Sequence, residues 1–255
     1  MNGKTDKKTA SSHGAEREQT GEDFWFPGRW IGGVTMILGP ILLLVGALLR
    51  IQFHFFFPQQ LAAFAEHPIL IVSSYSAFLA GNILLCPAIA TLARLIGATR
   101  PGLALWGGTF VIFGLFARTF HAGIDHLAFQ MVRVQSLEHA TKAVADSYGA
   151  FHIVSTLNPV IFFGWMILAI GAYLSGTLGL FRSIAMGLMS ALMFGVLKGS
   201  SMVSVIVVSG LCVALIPLGV DVLRNGPMPS YRTILGWSVL IIGLVVLLFF
   251  LGRAG

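Results

Sequence analysis

Charged side chains are scarce in this chain. Lys, Arg, Asp and Glu make up 10% of its 255 residues, and the mean hydropathy is +0.86. A soluble domain carries about 25% charged residues. This scarcity excludes an ordinary soluble protein. It predicts an all-α polytopic membrane protein that consists of one helical bundle without a separate soluble domain.

Cysteines are also few, and the usual cofactor motifs are missing. Cys86 and Cys212 each lie inside an apolar segment, without the spacing of a disulfide framework or a zinc site. The chain has no HExxH motif, no nucleotide-binding loop and no DDxxD diphosphate motif. We therefore expect no metal and no cofactor. A metal or haem membrane protein remains an alternative, since His121 and Asp125 stand one helical turn apart.

The excess of basic residues gives a formal net charge of +6. Lys and Arg are scattered at the ends of apolar segments, which argues against nucleic acid as a partner and favours a role in membrane orientation. With the N-terminus inside, ten of them lie on the inner side and six on the outer side. The sequence thus predicts a multi-pass protein of the cell membrane with a cytoplasmic N-terminus and the C-terminus outside.

Apolar segments define the domain organisation. Residues 1–23 are polar and lack an apolar core, so they predict a disordered cytoplasmic tail, and residues 24–255 predict the transmembrane bundle. Most of the apolar segments reach the roughly 20 residues that a helical crossing requires, which predicts about seven transmembrane helices. They are residues 30–50, 69–94, 102–124, 151–175, 178–197, 201–223 and 233–252.

The polar stretch from Arg118 to His126 ends the third segment. Four ionisable side chains within nine residues are costly at a membrane boundary, and such residues usually mark a functional site. On a helix, Arg118, His121 and Asp125 share one face. We predict that Asp125 is a general acid, that His121 and His126 orient it, and that Arg118 controls its charge. The alternative is a structural ion pair of Arg118 with Asp125.

Six of the seven histidines lie in or beside two long connections, residues 51–68 and 119–150, on the predicted outer side. Glu66 lies there too and is a second candidate acid. Phenylalanines crowd the same side, which predicts a cavity lined by aromatic rings. The residues expected to contact a substrate are His54, Tyr75, Asn82, Phe116, Phe120, Tyr148, His152 and Asn158.

An acid beside aromatic residues in a small seven-helix chain resembles the integral membrane terpene cyclases of fungal meroterpenoid and bacterial indole-terpenoid pathways. The resemblance covers the whole chain as architecture and length. It depends on Asp125 with Phe116, Phe120, His121 and His126, and on Glu66 as a second acid. The resemblance implies a membrane-embedded enzyme that starts cyclisation of a lipophilic isoprenoid substrate by protonation, with Asp125 as the general acid.

A different class of function is open on the same residues. A transporter, a proton relay, or an accessory or immunity protein would also place a polar cluster at a membrane boundary. In every case the expected partners are a lipophilic small molecule and the lipid bilayer, and nucleic acid is not expected. The sequence does not indicate an oligomeric state.

Overall fold

The computed structural model describes residues 25–150, 152–192, 195–226 and 230–254. The predicted tail, residues 1–23, lies outside them. Within the described residues the chain is helical and forms no strand. It divides into two compact units, the first ending at Leu223 and the second beginning at Arg224.

The helices of the first unit begin where the sequence places helix-starting residues. The unit contains α1 (Arg29–Leu49), α2 (Phe57–Glu66), α3 (Pro68–Gly97), α4 (Pro101–Val134), α5 (Leu137–Ser147), α6 (Asn158–Leu174), α7 (Leu180–Gly187) and α8 (Met202–Arg224). Proline occupies the first turn of α2, α3, α4 and α6, where a missing N–H costs nothing. Ser136 caps α5 by accepting a hydrogen bond from the backbone N–H of His139. The second unit contains α9 (Tyr231–Ala254).

Six helices within the described residues are long and apolar enough to cross a membrane. They cover Arg29–Leu49, Pro68–Gly97, Pro101–Val134, Ile153–Leu174, Met202–Arg224 and Tyr231–Leu248. The prediction of an all-α bundle is confirmed.

The prediction of seven helical spans is not confirmed, because the fifth apolar segment, residues 178–197, is not one long helix. It forms α7 and then the 3₁₀ helix Leu188–Ala191, which together have 12 residues. Twelve residues span roughly 18 Å, short of the roughly 30 Å of a bilayer core. The backbone that follows is irregular and includes Leu197 at a φ of 52°. Part of this irregular backbone lines a cavity, to which Gly195, Lys198 and Gly199 contribute.

Neighbouring long helices of the first unit run antiparallel and touch closely. Ser74 of α3 donates its hydroxyl to the carbonyl of Gly46 in α1 at 2.7 Å. A Cβ added at Gly46 would come within 2.7 Å of backbone atoms of α3, so only glycine permits this approach. Trp165, Met36 and other large apolar side chains fill the core between the helices.

A small cap covers one end of the first unit. We define the cap as α2, α5 and residues 126–134 of α4, and we call this end the cap end. Phe64 and Phe129 stack there with their ring centroids 4.7 Å apart, in a second apolar cluster that also buries Val144 and Leu197. This cluster explains why α4 continues to Val134 instead of ending near residue 124.

Candidate functional site

A polar cavity of about 60 Å³ lies below the cap, where α1, α3 and α4 meet the segment that precedes α8. We call residues 195–200 the cavity segment. The ionisable or hydrogen-bonding side chains that line the cavity include Arg50, Tyr75, Asn82, Arg118, His121, Asp125 and Lys198.

Asp125 connects α4 to the cavity segment. Its side chain is 7% exposed, and one carboxylate oxygen accepts a hydrogen bond of 2.5 Å from the backbone N–H of Leu197. His121 lies one turn earlier on the same face of α4 and is 8% exposed. The acceptor at Asp125 stabilises the left-handed backbone of Leu197, a conformation that non-glycine residues rarely adopt.

Arg50 follows the last residue of α1 and is 5% exposed. Its Nε donates to the Ser200 hydroxyl at 3.0 Å. Its guanidinium lies over the rings of Tyr75 and Phe78, 4.4 and 4.6 Å from their centroids. Within the part of the chain that the structure describes, the bond to Ser200 is the single hydrogen bond that the Arg50 side chain makes. The four N–H donors on its two Nη atoms are therefore left for a ligand or for water.

Two more cations line the cavity. Arg118 donates to the carbonyl of Leu192 at 3.4 Å, and its guanidinium lies 5.8 Å from the ring centroid of Phe78. The Lys198 ammonium lies 5.4 to 5.7 Å from the rings of three aromatic residues, which are Phe55, Phe56 and Tyr148. With Arg50, these residues place three cations against the one carboxylate of Asp125, a formal charge of +2 for the cavity lining.

The cavity segment is also fastened to the cap. The backbone N–H of Gly199 donates to the carbonyl of Phe55 at 2.8 Å. The Tyr75 hydroxyl lies 3.2 Å from the carbonyl of Lys198 and 3.1 Å from Oε1 of Gln60. These contacts and the bond to Asp125 hold the segment in place without helical hydrogen bonds.

Asn82 lies in the middle of α3 and is 1% exposed. Its Nδ2 donates to the carbonyl of Leu115 at 2.9 Å and to the Thr119 hydroxyl at 3.1 Å. A carbonyl oxygen can only accept, so this contact fixes which amide atom is nitrogen. The amide oxygen of Asn82 is then buried without a hydrogen-bond partner among the described residues.

The structure brings together five of the residues predicted from the sequence. Arg118, His121, Asp125, Tyr75 and Asn82 all line the cavity. The face of α4 that carries Arg118, His121 and Asp125 is the one expected from helical spacing.

The other predicted residues lie elsewhere. His126, Glu66 and His54 are exposed and do not line the cavity, and Phe116 and Phe120 are exposed on the outer surface of α4. Their proposed roles stay predictions.

Two predicted residues lie just beside the cavity. Tyr148 stacks on Phe57 with ring centroids 5.1 Å apart, at the rim formed by Lys198. The His152 ring lies 6.1 Å from that of His121, and its Nδ1 is buried without a hydrogen-bond partner in the described structure. The side chain of Asn158 lies outside the described residues.

Sequence reasoning missed Arg50 and Lys198 as site residues. Both were interpreted as charges that set membrane orientation, because each follows or separates apolar segments. A signal was present at Arg50, since it is followed within seven residues by four phenylalanines, an unusual neighbour for a solvated charge.

The histidines and acids do not assemble into a recognisable metal centre in the described part of the chain. No group of three or more His, Cys, Asp or Glu side chains that could hold a metal ion is found there. Comparison with known protein families, with curated proteins and with solved structures finds no match to this chain.

Proposed function

We propose that this chain is a membrane protein that binds an oxyanion in the cavity below the cap and carries it across the membrane. The supporting observation is the charge of the lining, because Arg50, Arg118 and Lys198 line the same cavity as a single carboxylate, that of Asp125, among the described residues. Arg50 is buried, and an excess of positive charge inside a membrane bundle is costly. A bound anion neutralises this excess of positive charge and so offsets its cost.

The donor chemistry favours an oxyanion such as a carboxylate or a phosphate. An arginine presents planar, paired N–H donors that match the oxygens of these groups. The Arg50 guanidinium lies over the rings of Tyr75 and Phe78 and donates to Ser200, so little side-chain freedom remains to be lost on binding. A volume of about 60 Å³ holds a few water-sized groups, which suits a small tetrahedral or planar anion.

The interrupted fifth segment favours a carrier over other membrane-bound functions. The segment begins beside the end of α6, where the Leu178 N–H donates to the Ala172 carbonyl, and it reaches the cap end, where Ser200 contacts Arg50. In many secondary transporters, discontinuous crossings form the binding site inside the membrane. We propose that residues 178–200 make such a crossing and that α9 makes another. Seven crossings then put the N-terminus inside and the C-terminus outside the cell membrane.

Terpene cyclisation, which the resemblance implies, stays a prediction with less support from the geometry. Aromatic faces can stabilise carbocations. Here the rings of Tyr75, Phe78 and Phe55 already contact the chain's own cations, and a carbocation would meet a lining of formal charge +2. A substrate of isoprenoid size also needs more room than this cavity has in the present conformation.

Anion binding to the purified protein tests the proposal. At a ligand concentration of 100 times Kd, binding stabilises the folded state by about 2.7 kcal/mol, which raises the melting temperature by roughly 5 to 10 °C. We expect a phosphate or carboxylate anion to raise the melting temperature of the unmodified protein but not that of the Arg50→Gln variant. The matched control is Arg94→Gln, since Arg94 also lies 4.4 Å from an aromatic centroid, that of Trp25, but away from the cavity.

Two further measurements complete this test. Arg50→Lys keeps the charge but loses the paired donors, so it should bind the anion about tenfold more weakly while folding like the parent. Proteoliposomes should take up the anion that stabilises the protein. If neither oxyanion class shifts the melting temperature of the unmodified protein, the proposed function is wrong.

A further inference from the structure

The cavity contains hydrogen-bond acceptors as well as cations. One oxygen of Asp125 accepts from the Leu197 N–H, and the carboxylate has no second hydrogen-bond partner among the described residues. Asn82 also lines the cavity, and its amide oxygen is buried and unpartnered within the described structure. An unmade hydrogen bond at a buried acceptor is unfavourable, so the amide oxygen of Asn82 and the cavity-lining carboxylate of Asp125 together favour a ligand that donates a hydrogen bond.

We infer that the anion retains a proton and is a phosphate group with at least one P–O–H, and that the site rejects sulfate. This inference rests on the proposed function. Phosphate and sulfate are both tetrahedral, but near neutral pH inorganic phosphate carries a hydroxyl and sulfate carries none. The P–O–H donates to Asp125 or Asn82, and the remaining oxygens accept from Arg50 and Arg118. Sulfate brings an unprotonated oxygen against a carboxylate, which is repulsive.

The charge count agrees with this assignment. Hydrogen phosphate carries two negative charges and matches the formal charge of +2 on the lining. The protonated form of a phosphate monoester leaves a charge of +1 and still supplies one donor. A phosphodiester has no P–O–H and lacks the group that the two acceptors require. The ligand class is therefore inorganic phosphate or a phosphate monoester, including the headgroup of a lipid.

Competition between phosphate and sulfate tests the inference. Titration calorimetry of the detergent-purified protein at constant ionic strength should give a Kd for phosphate at least tenfold below that for sulfate, because a site built to accept a hydrogen bond discriminates against the ligand that lacks the donor. A ratio within threefold for the unmodified protein contradicts the inference and leaves the proposed anion binding intact. If the unmodified protein binds neither phosphate, nor sulfate, nor any carboxylate, both the inference and the proposed anion binding are wrong.

Asp125→Asn gives a second, independent measurement. The amide oxygen can still accept from the Leu197 N–H, while the new N–H₂ group offers donors to the anion. We expect this variant to bind sulfate at least tenfold more tightly than the parent does, so that the ratio approaches one. Arg94→Gln should keep the parental ratio. A folded Asp125→Asn variant that still rejects sulfate would overturn the role of the carboxylate.

Two lipid compositions identify the source of the phosphate group. The protein is placed in nanodiscs of phosphatidylcholine with either phosphatidic acid, a monoester, or phosphatidylglycerol, a diester of the same sign of charge. Stabilisation by phosphatidic acid alone supports a lipid ligand. Stabilisation by dissolved inorganic phosphate and by neither lipid supports the free ion. Equal stabilisation by both lipids without a response to inorganic phosphate contradicts the requirement for a P–O–H.

Discussion

Replacing Gly199 with alanine should loosen the cavity segment. Gly199 donates its N–H to the Phe55 carbonyl at 2.8 Å. An added Cβ would lie 2.9 Å from Cα of Phe55, 2.7 Å from Nε2 of Gln60 and 3.1 Å from the carbonyl oxygen of His54. Carbon atoms in contact prefer roughly 3.5 to 4.0 Å, so the cavity segment and the cap must separate by at least about 0.6 Å.

The cost follows from that separation. Overpacking of a close contact costs about 1 to 3 kcal/mol, and weakening the bond between Gly199 and Phe55 adds up to about 1 kcal/mol. We expect a loss of about 1 to 4 kcal/mol and a fall in melting temperature of roughly 2 to 16 °C. Anion affinity should fall too, because Lys198 and Ser200 flank the displaced residue.

Thermal unfolding in detergent, followed by tryptophan fluorescence, measures this loss. Gly123→Ala is the control, since a Cβ at this exposed position of α4 meets nothing within 4 Å. Alanine favours a helix over glycine by about 1 kcal/mol, so the control should melt at or slightly above the parental temperature. Equal melting temperatures for the two variants would refute the packing of the cavity segment against Phe55.

Two other predictions follow from the same contacts and from the chain path. Tyr75→Phe keeps the ring beneath Arg50 but removes the hydroxyl that bridges Gln60 and Lys198, and should cost about 1 kcal/mol, or roughly 2 to 4 °C, in the same unfolding assay. An unchanged melting temperature would show that the bridge contributes nothing. Reporter tags placed before residue 1 and after residue 255 should lie on opposite sides of the membrane, whereas tags on the same side would contradict seven crossings.

The long helices were predictable because hydropathy alone decides them. Twenty or so apolar residues in lipid must satisfy their backbone internally, and a helix is the simplest way to do so. The long helix expected over the fifth segment is not confirmed, for the opposite reason. Its sequence is apolar almost throughout, but the hydrogen bonds near its end are made to distant residues. The N–H groups of Leu197 and Gly199 donate to Asp125 and to the Phe55 carbonyl, and the carbonyl of Lys198 accepts from Tyr75. Those partners are 72 to 144 positions away, so no local sequence pattern indicates them.

Spacing along the sequence could predict which residues lie together only where one helix builds the site. Helical spacing places Arg118, His121 and Asp125 on one face, and the structure keeps them together. His126 is exposed and does not line the cavity, because the next residue on a helix points about 100° away from Asp125, and its proposed role stays a prediction. The distant cations Arg50 and Lys198 enter from other segments, so spacing along the sequence could not identify them.

The cavity also explains why the asymmetry of basic residues is only ten to six. Three of the six on the predicted outer side, Arg50, Arg118 and Lys198, line the cavity and are not loop charges. The orientation rule concerns Lys and Arg in loops beside the membrane, so the relevant comparison becomes ten to three. Arg50 is buried over the rings of Tyr75 and Phe78, and a buried cation is costly to keep unless an opposite charge compensates it. The three cations that reduce the Lys and Arg asymmetry on the predicted outer side are therefore the same three that line the proposed anion site.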